Sequence, residues 1–157
     1  MPTLEIYRSD EGPDLDLTRI LVAIEPFASS LSWYLIEFDP VMFVGGDGLR
    51  ETPHPEWVLS LWHKIRSGRD TTRVEWRQLM DFARHVGQTD MALLIGIEPS
   101  EIPPHAPIDL NSPDFAVVIQ ALDGNIWAVT TRNVGLIEAF KAQFTTAREV
   151  EKAQRYY

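Results

Sequence analysis

The sequence contains no cysteine among its 157 residues. Neither a disulfide framework nor a thiolate zinc site can form from it, and the chain suits a reducing compartment. Long hydrophobic runs are missing as well. The longest, Ile20–Ile24 and Met91–Ile97, fall far short of the ~20 apolar residues that span a bilayer. The first ten residues already carry Glu5, Arg8 and Asp10, and they lack the basic start and apolar stretch of a secretory signal. The expectation is a soluble, cytoplasmic protein without membrane association.

Positive charge is scarce. Lys and Arg number 14 against 23 Asp and Glu, for a net charge of −9. Such a surface repels a phosphate backbone and disfavours nucleic-acid binding. The scarcity is uneven: residues 1–56 carry −8, residues 57–84 carry +3 and residues 132–157 carry +2. Between them, His85 to Thr131 is a 47-residue stretch with no Lys or Arg, carrying Asp90, Glu98, Glu101, Asp109, Asp114 and Asp123. Acidic excess often does no more than keep a protein soluble. A stretch this long without a cation also suits a surface that meets a basic partner.

Catalytic signatures are absent too. There is no GxSxG, so no nucleophile elbow, and Ser60 falls within a helical pattern. The four histidines, His54, His63, His85 and His105, show no face-sharing pair of the HExxH kind, so neither a metal nor a cofactor is expected. Gly45-Gly46-Asp47-Gly48 lacks the following Lys-Ser/Thr of a phosphate loop, and Asp47 would repel the anion. With 23 carboxylates, accidental acid–base pairs are numerous and prove nothing.

What is present suits one domain: 45% hydrophobic and 24% charged residues are ordinary globular values, and a chain of this length can bury about 70% of its unfolded surface. Thr3 to Arg8 alternates as a strand, and Asp10 to Pro13 reads as a turn. Leu17, Ile20, Leu21 and Ile24 recur at helical spacing behind Asp14 or Asp16 as cap, with Pro26 expected to end the helix. Leu31 to Phe38 reads as a strand broken by Asp39-Pro40, with Val41–Val44 as a possible short partner. Pro55 opens and Gly68 closes a helix striped by Trp57, Val58, Leu61, Trp62 and Ile65. Thr72 and Glu75 match a capping box ahead of a second helix buried along Trp76, Leu79, Met80, Ala83 and Val86.

Met91–Ile97 is a buried strand. Five prolines between Glu98 and Pro113 then exclude regular structure, and loops of that length tend to be functional. Asp123-Gly124 signals a two-residue hairpin between Asp114–Leu122 and Asn125–Thr131, with Phe115, Val117, Ile119 and Ala121 on one face. Leu136, Ile137, Phe140 and Phe144 mark a helix capped by Asn133, and Thr146 with Glu149 suggests a short C-terminal helix at 146–157. This order predicts an α+β fold: a mostly antiparallel sheet with helices packed on it, in a single compact domain with a Pro-rich loop at 98–113. All five tryptophans, Trp33, Trp57, Trp62, Trp76 and Trp127, sit on predicted apolar faces and are expected in the core, with Trp57 or Trp62, near the Pro-rich helix start, as the candidate for an exposed interface anchor instead.

Three blocks resemble immunity proteins of bacterial toxin systems: Ser32-Trp33-Tyr34-Leu35-Ile36-Glu37; Glu75-Trp76 through Phe82 to Gln88 and Met91–Gly96; and Ala121–Val129 followed by a helix. None is diagnostic, and no family residue carries over individually. The resemblance implies a small acidic α+β protein that binds and blocks a cognate toxin. The leading expectation is therefore a stoichiometric inhibitor that occludes a basic toxin domain through Asp90, Glu98, Glu101, Asp109, Asp114 and Trp57. A small-molecule enzyme using His63 or His105 with carboxylates near the 98–113 loop is the alternative. A structural adaptor, held by apolar contacts that survive high salt, is the third.

Overall fold

The computed structural model describes residues 1–40, 54–68, 71–105 and 107–151. The expected strand at Val41–Val44 and the Gly45–Gly48 loop lie outside them. The described strands are β1 (Thr3–Tyr7), β2 (Ser32–Pro40), β3 (Thr72–Val74), β4 (Thr89–Ile97), β5 (Phe115–Leu122), β6 (Ile126–Thr131) and β7 (Arg148–Val150). They form one sheet in the order β3-β2-β4-β5-β6-β1-β7, and every pairing is antiparallel. The helices are α1 (Arg8–Glu11), α2 (Leu17–Ala28), α3 (Glu56–Arg66), α4 (Trp76–His85) and α5 (Val134–Gln143). This is the expected α+β class. No helix among the described residues is long and apolar enough to cross a membrane.

The main core lies between the sheet and α2 to α5, where Leu4, Ile6, Trp33, Leu94, Ile119 and Val129 meet Ile20, Val58, Phe82 and Phe140. The opposite face carries a smaller apolar cluster of Tyr34, Leu93, Ile95, Ile97, Phe115 and Val118. Two bulges decide which residues face which way, because one extra residue in a strand flips everything beyond it. In β2 the register shifts between Leu35 and Glu37, so Phe38 joins Trp33 and Leu35 in the main core. A shift against Ile97 makes Ala116 the extra residue in β5, so Phe115 leaves the face of Val117, Ile119 and Ala121 and joins the smaller cluster. Gly96 leaves room for its neighbours: a Cβ there would lie 3.0 Å from Leu31 and 3.1 Å from the Trp33 indole, a tight fit that would push on both side chains. That indole also donates its N–H to the Ala28 carbonyl at 2.9 Å, tying β2 to the end of α2.

Several caps stand where the sequence places them. Asp16, of the two candidates, accepts the Arg19 backbone N–H at 2.9 Å, and Asn133 accepts that of Leu136 at 3.0 Å. Gly68 ends α3 with φ of 61°. Other expectations need correction. Pro26 does not end α2, which runs on to Ala28. The carbonyl deprived of its donor is that of Val22, which is 51% exposed, so solvent can satisfy it. Asp39 and Pro40 do not break β2 but extend it, pairing with Met91 and Thr89 across a register shift. The Asp10–Pro13 turn begins as the single helical turn α1 and is released by Gly12 at φ 91°.

Thr72 is not a helix cap. Thr72–Val74 pairs with β2 as an edge strand, and Glu75 takes the cap position of α4 without a side-chain bond. At 146–157, Arg148–Val150 is a strand on β1, not helix, and Thr146 uses its hydroxyl on the Glu11 carboxylate. Residues 152–157 fall outside the described set. The hairpin loop has three residues. Asp123 and Gly124 take φ of 56° and 65°, Asn125 donates to the Leu122 carbonyl, and the ladder resumes at Leu122–Ile126.

Candidate functional site

β4 and β5 are neighbours, so the segment from Glu98 to Asp114 is a long hairpin connection at one end of the sheet. Its five prolines exclude a ladder, and the loop is held down in two other ways. Ile108 and Leu110 pack onto the smaller apolar cluster, and Pro104 is buried. Local turns fix the rest. Glu101 N–H reaches the Glu98 carbonyl and Ser112 N–H the Asp109 carbonyl, both at 2.9 Å. Asp109 Oδ1 accepts the Asn111 backbone N–H at 3.0 Å, and Ser112 Oγ donates to Asp114 Oδ2 at 3.3 Å.

Glu98, Glu101, Asp109 and Asp114 are all exposed on this loop, so four of the five expected acids share one surface. Glu98, Glu101 and Asp114 enter no ion pair among the described residues. Below the rim, a cavity of about 190 Å³ is lined by Ile102, Pro104, Pro107, Phe115, Asp109 and Asp114, among others. Ile102 is 76% exposed beside it.

Asp90 is the exception. It is the second residue of β4, eight positions before Glu98, which at 3.3–3.4 Å per residue is roughly 27 Å away. Its carbonyl instead receives the Gly124 N–H at 2.9 Å, at the other end of the sheet. Trp57 does not join the loop either. It lies in the first turn of α3, 38% exposed, with its ring 6.1 Å from that of His85. Trp62 is half-buried against the main core, so Trp57 is the tryptophan that presents surface.

The histidines invoked for catalysis are separated. His63 is exposed on α3 against Trp62, whereas His105 is exposed on the loop and lines its cavity with Asp109 and Asp114. His85, for which the sequence suggests no role, is a second histidine placed beside carboxylates. With Asp14, Asp16, Thr18, Arg19, Asp81 and Arg84 it lines a shallow concavity of about 500 Å³ between the start of α2 and the end of α4. Its charges mostly answer one another: Arg84 pairs with Asp81 at 3.0 Å, and Arg19 pairs with Glu11 at 3.2 Å. Burial pushes the Asp16 carboxyl above the usual aspartate value, against the opposing pull of the Arg19 N–H and guanidinium. Among the described residues no group of three or more His, Asp or Glu is placed to hold a metal ion.

No family model matches the chain, and no match is found among curated proteins or solved structures.

Proposed function

We propose that this chain is a protein-binding inhibitor of the immunity type, which docks a basic toxin domain against the 98–114 loop and blocks it by occlusion. One observation carries the reading: four carboxylates stand exposed on a loop pinned to the sheet, inside a stretch of sequence with no Lys or Arg. An exposed surface of one charge speeds encounter with an opposite surface and selects against others. A fixed loop also loses little conformational entropy on docking. A protein interface of ordinary size covers about 800 Å² per partner, enough to close the mouth of an enzyme site.

The test is affinity capture from the source cell extract with two baits, the wild-type chain and the Glu98→Lys/Glu101→Lys variant. The expected result is a near-stoichiometric basic protein held by the wild type at low salt and missing from the variant. Equal capture by both baits would remove the loop from the interaction. The α2–α4 concavity supports a second reading, a site for a small polar ligand, because it brings His85 together with carboxylates and arginines. His85→Ala is the variant that would expose it, by abolishing ligand binding while capture stays intact.

A further inference from the structure

The sheet face turned away from the helices changes character across its width. Over β2 and β4 it is apolar, with Tyr34, Leu93 and Ile95, whereas over β1 it carries Thr3 and Glu5. The register sets two polar side chains in one cross-strand row: Gln120 of β5 pairs with Ala128 of β6, and Ala128 pairs with Glu5 of β1. All three point away from the helices, because their chain neighbours Ile119 and Ala121, Trp127 and Val129, and Leu4 and Ile6 lie in the main core. Glu5 and Gln120 are each 1% exposed, and Ala128 is fully buried between them. Glu5 Oε1 and Gln120 Nε2 nevertheless have no hydrogen-bond partner among the described residues. Buried polar atoms are nearly always bonded, either to protein or to ordered water. The two left over here are complementary, an acceptor and a donor on either side of a lone methyl. We infer that they hold one buried water above Ala128, which accepts from Gln120 Nε2 and donates to Glu5 Oε1.

The spacing suits a ligand of that size. Adjacent strands lie about 4.8 Å apart, so the Glu5 and Gln120 backbones are roughly 10 Å apart across Ala128. Two hydrogen bonds through one oxygen span about 5.7 Å, and two long side chains leaning over a methyl close the rest. The chemistry narrows the occupant further. A cation would meet the Gln120 N–H donor, and an anion would meet the Glu5 carboxylate, whereas water both gives and takes a hydrogen bond. The neighbouring groups have partners of their own. Tyr7 donates its O–H to Glu5 Oε2 at 2.8 Å, and the Thr3 and Thr130 hydroxyls bond each other at 2.9 Å. On its other side Gln120 pairs with Leu93, whose side chain has no polar atom. The Arg148 guanidinium lies 4.7 Å over the Tyr7 ring and 2.8 Å from Asp10. The water therefore extends a line of contacts from Arg148 at the sheet edge, through Tyr7 and Glu5, to Gln120 at the sheet centre.

The test counts the water and locates it in the folded chain. Oxygen-17 magnetic relaxation dispersion counts long-lived waters. A nuclear Overhauser effect from water to the Ala128 methyl locates this one, because methyl protons do not exchange. The expected result is a cross-peak with the sign of a long-lived water, which persists in Thr3→Val/Thr130→Val and so does not come from those hydroxyls. Gln120→Leu should remove the cross-peak and lower the count by one water. Ala128→Ser supplies a hydroxyl covalently at the same place. It should also lower the count by one, with an unfolding midpoint at or above that of the wild type, and it decides the matter if Gln120→Leu does not fold. The absence of a long-lived cross-peak in the wild type, its loss with the Thr3 and Thr130 hydroxyls, or an unchanged count in either folded variant would each overturn the site. A wild-type midpoint that depends on whether Na⁺, K⁺ or NH₄⁺ is supplied at equal ionic strength would make the occupant a cation, and would overturn it as well.

Discussion

The two faces of the sheet are built for different work. On the helix side, large side chains are sealed, with Trp33, Phe82 and Phe140 at 0% exposure, and acids find cations within the chain. On the loop side, a modest cluster is covered in part by Ile108 and Leu110, and above it stand carboxylates for which the surrounding sequence supplies no Lys or Arg. On the proposed function, stability and recognition are carried by different residues. A protein organised this way can change the 98–114 loop without reopening its core.

The sharpest way to break that division is to cut into both sides. Phe82→Ala, which removes a ring packed edge-on against Phe38 at 5.2 Å, should cost about 3–5 kcal/mol in denaturant unfolding. Ile108→Ala on the loop side, where the side chain is only half-buried, should cost about 1–2 kcal/mol and loosen the loop more than the sheet. Hydrogen exchange separates the two outcomes: protection lost in β4 and β5 equally after Ile108→Ala would mean that the loop belongs to the core after all.

A smaller effect is expected at Asp16, where the helix side half-buries a charge. Its carboxyl is raised above 3.8 in the folded chain, so the folded state holds the proton more firmly than the unfolded state. Stability from this group is present at low pH and is lost as pH rises through the folded value. Asn caps a helix as well as Asp does. Asp16→Asn should therefore match the wild type in acid and be equal or more stable at neutral pH, as read from unfolding midpoints at the two pH values. A variant less stable at neutral pH would show that attraction to Arg19 outweighs burial.

The smallest effect on stability is expected where the effect on binding is largest. Glu98→Lys/Glu101→Lys should shift unfolding by less than about 0.5 kcal/mol, because both side chains are exposed and pair with nothing among the described residues.

Local signals made much of this legible in advance. The Pro55 and Gly68 boundaries of α3, the Asn133 cap, the Asp123-Gly124 turn and the Pro-rich loop each rest on the conformational limits of one or two residues. What escaped depends on partners distant in the chain. Thr72–Val74 and Arg148–Val150 are three-residue edge strands whose only reason to be extended is the neighbour they pair with, Trp33–Leu35 in one case and Thr3–Glu5 in the other. A capping-box pattern at either place is locally sound and loses to tertiary pairing. The bulge at Ala116, which sends Phe115 to the other face, has no mark in an alternating pattern. His85 met Asp14 and Asp16 only once α2 and α4 had docked. The separation of Asp90 from Glu98, by contrast, was implicit in reading Met91–Ile97 as a strand, because an extended segment keeps its ends apart.

The measurement that bears most directly on the loop as a docking surface is the association rate of the captured partner across a range of ionic strength, for wild type and Glu98→Lys/Glu101→Lys. The account predicts a rate for the wild type that falls steeply with salt, a slower and flatter one for the variant, and convergence of the two at high salt. Parallel salt dependences of equal slope would contradict it, and would place recognition on another surface of the chain.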